Sequence, residues 1–227
     1  MKHRYETLLL KKEGERVAKQ IEGVYERILE CAKKEFLEKG YTDASLRTIA
    51  AEAETSTNSI YVRFKDKEGL FAAIVEPVSE EFMSRCLEVQ ETFHGFDSET
   101  QRSEVGKYSG NAMLDMVDYI YDHFDEFRLL LDASYGTRFH DFVDRLVAME
   151  EEYTWKWIEA TGSRLEPEGE LTTEFYHMMV TAYFEGIFEV VRHEMSREDA
   201  KKYVAMMGKY HHGGFLAIVG EETAETK

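Results

Sequence analysis

Residues 45–70 read SLRTIAAEAETSTNSIYVRFKDKEGL. Ser45 is a plausible N-cap for a short helix, Leu46–Ala53, whose Leu46, Ile49, Ala50 and Ala53 share one face. Glu54 and Thr55 make a turn. Ser56 or Thr57 then caps a second short helix that ends near Phe64, with Ile60 and Phe64 pointing inward. Asp66 caps a third helix that starts at Lys67 and aligns Leu70, Phe71, Ile74 and Val78. Two short helices joined by a tight turn and braced by longer ones form a helix-turn-helix pattern.

The flanks are helical too. Val17, Ile21, Val24, Ile28, Cys31, Ala32, Phe36 and Leu37 recur every three or four residues, which predicts a helix over Val17–Lys39. Gly40 is its stop signal. Residues 1–16 either extend this helix or fray. Downstream, the helix from Lys67 is expected to run through Pro77 to about Phe93, followed by a loop over His94–Arg102. Helices are expected over Glu104–Phe124, Asp125–Ala133, Phe139–Ala160, Leu171–His193 and Arg197–Val219, with loops at Ser134–Thr137 and Gly162–Gly169. Only two prolines occur in 227 residues, which favours an all-α fold over a many-turned β architecture.

The net charge of −17 is unevenly spread. Residues 1–76 hold 14 Lys+Arg and 14 Asp+Glu, whereas residues 77–227 hold 14 and 31. The helix-turn-helix segment is therefore free to carry a local basic face while the rest repels nucleic acid. The two cysteines, Cys31 and Cys86, form no metal-ligand cluster, and a reducing cytoplasm is the expected compartment. Leu8–Leu10 is too short for a signal peptide and Phe215–Val219 too short to span a bilayer, so no membrane association is expected.

Residues 25–75 resemble the DNA-binding domain of the tetracycline-repressor (TetR) family of bacterial transcription regulators. The resemblance rests on Phe36, Gly40, Tyr41, Ala44, Ser45, Leu46, Arg47, Ile49 and Ala50. It continues through Ser56, Ser59, Ile60, Tyr61, Arg63, Phe64, Asp66, Lys67, Glu68 and Leu70. Two positions depart from the family pattern. Glu54 stands where the turn usually has Gly, and Thr57-Asn58 replaces the usual Lys-Gly.

The resemblance implies an N-terminal DNA-binding domain over residues 1–66, including the 1–16 extension, and a larger ligand-binding and dimerisation domain over residues 67–227. It implies a homodimeric repressor that a small molecule releases from double-stranded operator DNA. The side-chain chemistry agrees. Thr57 and Asn58 sit near the start of the second short helix, where Asn58 is either a base reader or a cap. Tyr61, Arg63, Lys65 and Lys67 are placed to bond phosphates. By resemblance, Arg47 reaches a base or phosphate, and Ser45, Thr48 and Ser56 belong to the same interface.

For the ligand, Tyr108, Met113, Met116, Tyr119, Phe127, Trp155, Met178, Met179 and Tyr183 are candidate pocket residues; plain core is the competing reading. For the dimer, the last two helices offer Phe175, Ala182, Gly186 and Val190, and Tyr203, Met207, His211 and Phe215. No cofactor, metal or catalytic residue is expected. The alternative is a di-iron carboxylate bundle built on Glu91/His94 and Glu174/His177, but about one such pair is expected by chance from this composition.

Overall fold

The computed structural model describes residues 2–162 and 172–218, with side chains from residue 23 onward. The described residues form helices and turns only. In chain order these are α1 (Lys2–Asp43), α2 (Leu46–Glu52), α3 (Thr57–Phe64), α4 (Lys67–His94), α5 (Ser98–Asp122), α6 (Phe124–Asp132), α7 (Phe142–Thr161), α8 (Thr173–Arg192) and α9 (Arg197–Ile218). Residues 2–16 thus continue the first helix.

Local chemistry sets the first four elements. α1 is broken at Gly40, whose φ of 70° and ψ of 167° suit glycine alone. Three side-chain caps then follow. The Ser45 hydroxyl accepts from the Thr48 amide at 3.4 Å, Ser56 from Ser59 at 3.2 Å, and the Asp66 carboxylate from Gly69 at 2.7 Å. Each satisfies an amide that a helix start would otherwise leave unpaired. Buried Glu35 accepts from the Ser45 amide at 3.0 Å and fixes α2 to α1.

The turn between α2 and α3 holds exposed Glu54 at φ 51°, a left-handed conformation that favours glycine. We expect Glu54→Gly to stabilise the chain by about 1 kcal/mol. Thermal melts should show a rise of about 2–4 °C.

Ile49, Ile60 and Leu70 are fully buried between α1, α2, α3 and α4. Phe71 of α4 is the centre of an aromatic cluster, edge-on to Phe36 (5.1 Å between ring centroids) and Tyr41 (5.5 Å) and tilted against Phe139 (6.1 Å). The apolar core continues without a break from Ile28 to Leu216.

Polar ties reinforce this junction. The Tyr41 amide donates to the Ala133 carbonyl at 3.1 Å, and the Arg138 amide to Glu68 at 3.0 Å. Lys33 pairs with Glu126 and Arg138 with Glu76. α4 runs unbroken through Pro77, so one 28-residue helix, about 42 Å long, joins the helix-turn-helix to the distal bundle. In that bundle α5 packs chiefly on α9, and α7 on α8.

Downstream of α4, two helix starts differ from the sequence reading by three residues or more. α5 begins at Ser98 rather than Glu104, because Asp97 accepts from the Glu99 and Thr100 amides at 3.1 and 3.0 Å. α7 begins at Phe142 rather than Phe139, because the Thr137 hydroxyl ties residues 134–139 into successive turns, donating to the Ser134 carbonyl and accepting from the Phe139 amide. Leu171, Val219 and most of the Gly162–Gly169 loop lie outside the described residues.

Candidate functional site

α3 has two unlike faces. Ile60 and Phe64 are buried, while Asn58, Tyr61 and Val62 are exposed and Thr57 partly so. Spacings of three and four residues put Asn58, Tyr61 and Val62 on one outer face, and exposed Lys65 follows as the C-cap at φ 71°. Tyr61 is 51% exposed and Val62 74%. An aromatic and an aliphatic side chain are thus held in water beside an amide and an ammonium. Arg47 and Thr48 of α2 are exposed as well, whereas Ser45 and Ser56 spend their hydroxyls on the caps.

Arg63 and Lys67 sit differently from the simple reading. The Arg63 guanidinium folds back on its own helix, donating to the Ser59 carbonyl at 3.1 Å and hydroxyl at 2.5 Å. Lys67 donates to the Thr42 and Ala44 carbonyls, both at 2.9 Å, and lies over the Tyr41 ring. Burial pulls its pKa below the usual lysine value. Its ammonium holds the α1–α2 connection. Sequence reasoning missed Val62; the signal was an apolar residue off the Ile60/Phe64 stripe.

The distal bundle holds an open-sided cavity of about 1070 Å³ between α4, α5, α7, α8 and α9. Tyr153, Trp157, Tyr176 and Phe215 supply much of its wall, and Trp157 and Tyr176 each pack against the Phe215 ring. Tyr183 stacks on His211 at 4.2 Å, and burial lowers the His211 pKa to about 4, with His212 adding to the shift. Glu150 of α7 also lines this space, accepting a 2.8 Å bond from the Gln90 amide.

Burial raises the Glu150 pKa to about 7, and the Gln90 bond opposes the shift. The folded chain therefore holds this proton more tightly than the unfolded one, whose carboxyl has an ordinary value of 4.5. The stability this contributes is present below that value and is lost as pH rises through about 7. Glu150→Gln removes this term. Urea denaturation should find the variant more stable than wild type at pH 8–9, by on the order of 3 kcal/mol, and flatter between pH 5 and 7.

Of the pocket candidates, Met113 and Tyr183 line the large cavity; Tyr108 and Met116 line a smaller adjoining one with Met113 and Tyr183. Tyr119 and Phe127 are core residues packed on Phe82, and the Tyr119 hydroxyl donates to the Val78 carbonyl at 3.3 Å. Trp155, Met178 and Met179 lie outside the cavity; Met178 is 61% exposed.

The dimer candidates also divide. Val190 is fully buried, and Phe215 and His211 face the cavity. Gly186 packs within the chain on Met207, whose Cε lies 2.7 Å from where a Cβ would be. Phe175 and Ala182 are exposed and Tyr203 is half-buried. The large apolar side chains exposed on α9 are Met206 and Tyr210.

The di-iron alternative does not fit. Both His94 ring nitrogens are engaged by the Gln90 and Tyr153 carbonyls, and exposed His177 pairs with Glu151 at 3.1 Å. Glu91 and Glu174 are exposed. Among the described residues no cluster of His, Cys, Asp and Glu is arranged to hold a metal, and no helix is long and apolar enough to cross a membrane.

Comparison with solved structures gives the same fold. SmeT of Stenotrophomonas maltophilia, the repressor of the multidrug efflux pump SmeDEF, is similar at 18% identity and a TM-score of 0.55, over 85% of this chain and 88% of that one. PfmR, a TetR-family transcriptional regulator from Thermus thermophilus, gives 19% and 0.58 over 87% and 97%. NalD of Pseudomonas aeruginosa, the secondary repressor of the MexAB-OprM multidrug efflux pump, gives 20% and 0.54 over 83% and 95%. No curated protein matches the chain by sequence. Residues 28–74 match the family model described as bacterial regulatory proteins, tetR family. The capped helices, the Gly40 break and the exposed face of α3 all fall within that match.

Proposed function

We propose that the protein is a homodimeric cytoplasmic repressor that binds operator DNA through α3 and leaves it when a small molecule fills the distal cavity. The carrying observation is the outer face of α3, where Asn58, Tyr61 and Val62 stand in solvent on a helix anchored from behind by Ile60 and Phe64, with exposed Lys65 at its C-cap. An exposed aromatic and valine on a rigid, capped helix serve recognition better than folding. Asn58 suits adenine, Val62 the thymine methyl, and Tyr61 and Lys65 the phosphates. Arg47, Thr48 and Thr57 extend the contact, and Arg63 adds a positive charge from its position on α3. The division is at residues 66/67, where α4 begins.

α4 supplies the mechanical link. Its C-terminal half lines the cavity through Gln90, Phe93 and His94, and its N-terminal half packs on α1 and α3. A ligand that fits one position of α4 better than another shifts the spacing of the two reading heads. That SmeT and NalD are repressors supports the same direction of control.

α8 and α9 pack on each other and leave Phe175, Met178, Met206 and Tyr210 exposed. We assign this apolar surface to the homodimer. The double variant Met206→Glu/Tyr210→Glu should sediment as a monomer and lose operator binding, because two half-sites are no longer joined.

Selection from a random duplex pool tests the function. The expected product is an inverted repeat with half-site centres one or more helical turns apart, about 34–36 Å per turn. A pool that stays random through successive rounds contradicts the reading.

A further inference from the structure

We propose that the ligand of the distal cavity is an organic cation, with its charge seated against the Glu150 carboxylate and its apolar body among the aromatic side chains. The inference rests on reading this cavity as the ligand site.

Glu150 is an unusual residue to keep there. It lies on the inward stripe of α7, four residues after Leu146 and three before Tyr153, both buried. Among the described residues its hydrogen-bond partner is the neutral Gln90 amide, and no arginine or lysine pairs with it. A carboxylate taken out of water is costly unless a positive group or several donors replace the lost hydration. The fold supplies one amide and leaves the rest to whatever fills the space. It is also the one acidic side chain among the described residues that line the cavity.

The surroundings suit a cation. Tyr176 and Tyr183 lie near enough for the Glu150 charge to hold their hydroxyls protonated, on top of the larger effect of burial. With Tyr153 and Trp157 they offer aromatic faces, whose negative quadrupole attracts cations. At about 1070 Å³ the cavity has room for a drug-sized molecule.

Basic groups are present but differently placed. Arg102, Lys107 and Lys209 are exposed residues of the lining. Arg102 donates to the Thr161 carbonyl, and Lys107 lies 3.7 Å from Glu104. His211, with its pKa near 4, is neutral at pH 7 and opposes no cation. Were these rim residues the selective element, an anion would be the ligand.

Two probes of matched shape and opposite charge separate the alternatives: tetraphenylphosphonium and tetraphenylborate. Equilibrium dialysis against the full-length protein needs no DNA, so it is independent of operator binding. The cation should bind at least about tenfold more tightly than the anion. Glu150→Gln, which retains the shape of the side chain, should weaken the cation about tenfold and leave the anion unchanged or tighter. Equal affinities, an anion preference, an unchanged cation affinity in the variant, or binding of neither probe would overturn the proposal. Anion binding alone would preserve the cavity as a ligand site while rejecting a cation. The wild-type probe pair decides the matter even if the variant folds poorly.

Discussion

Tyr61→Ala should weaken operator binding about 30- to 150-fold while leaving the melting temperature within a degree or two. The side chain is 51% exposed and has no aromatic partner among the described residues, so the fold loses little. A hydroxyl bonded to a phosphate is a charge-assisted contact whose loss costs about 1–1.5 kcal/mol. In a symmetric dimer the loss occurs in both half-sites, giving about 2–3 kcal/mol. Asn58→Ala should differ in kind. It should narrow the affinity gap between operator and unrelated DNA, because a base contact carries sequence information and a phosphate contact does not. Fluorescence anisotropy on operator and scrambled duplexes measures both effects. If Tyr61→Ala binds as wild type does, α3 does not dock as described.

Phe71→Ala should cost about 3–5 kcal/mol, the largest stability loss among the substitutions considered. Its ring is fully buried. The ring also joins three parts of the molecule: Phe36 and Tyr41 of the first helical segment, α4 itself, and Phe139 of the turn before α7. A domain of ordinary stability has about 5–15 kcal/mol to lose, so the variant should melt roughly 10 °C lower. The exposed Tyr210→Ala, 77% accessible in the single chain, should by contrast act on association rather than on protomer folding. Chemical denaturation at several protein concentrations separates the two.

The helix-turn-helix was legible because short-range chemistry determines it. Ser45, Ser56 and Asp66 each cap the helix that starts at the next residue by accepting from the amide three residues ahead, Gly40 breaks α1, and Ile49, Ile60 and Leu70 follow the helical period. The glycine-like turn at Glu54 was readable for the same reason, through its place in the motif. The start of α5 is equally local, set by the Asp97 cap within the stretch expected to be a loop.

The cavity was harder. Helical periodicity says which face turns inward, not whether it meets a neighbour or a void. Tyr119 and Phe127 satisfy the same pattern as Met113 and Tyr183, yet the first two fill the core and the last two line the cavity. The informative signal was a violation: a glutamate at position 150 on an otherwise apolar stripe. The dimer stripe divides similarly. His211 and Phe215 turn toward the cavity while Met206 and Tyr210 face outward, a rotation that the α5–α9 packing imposes and the sequence of α9 does not record.

As proposed above, this acidic protein reads DNA through α3. The most direct test is an anisotropy titration of the full-length protein with duplexes from around its own gene, at two salt concentrations. Tight, sequence-selective binding is expected, with an affinity that falls steeply with salt as phosphate counterions are released. Binding that is absent at low salt, or equal for every duplex, would contradict it.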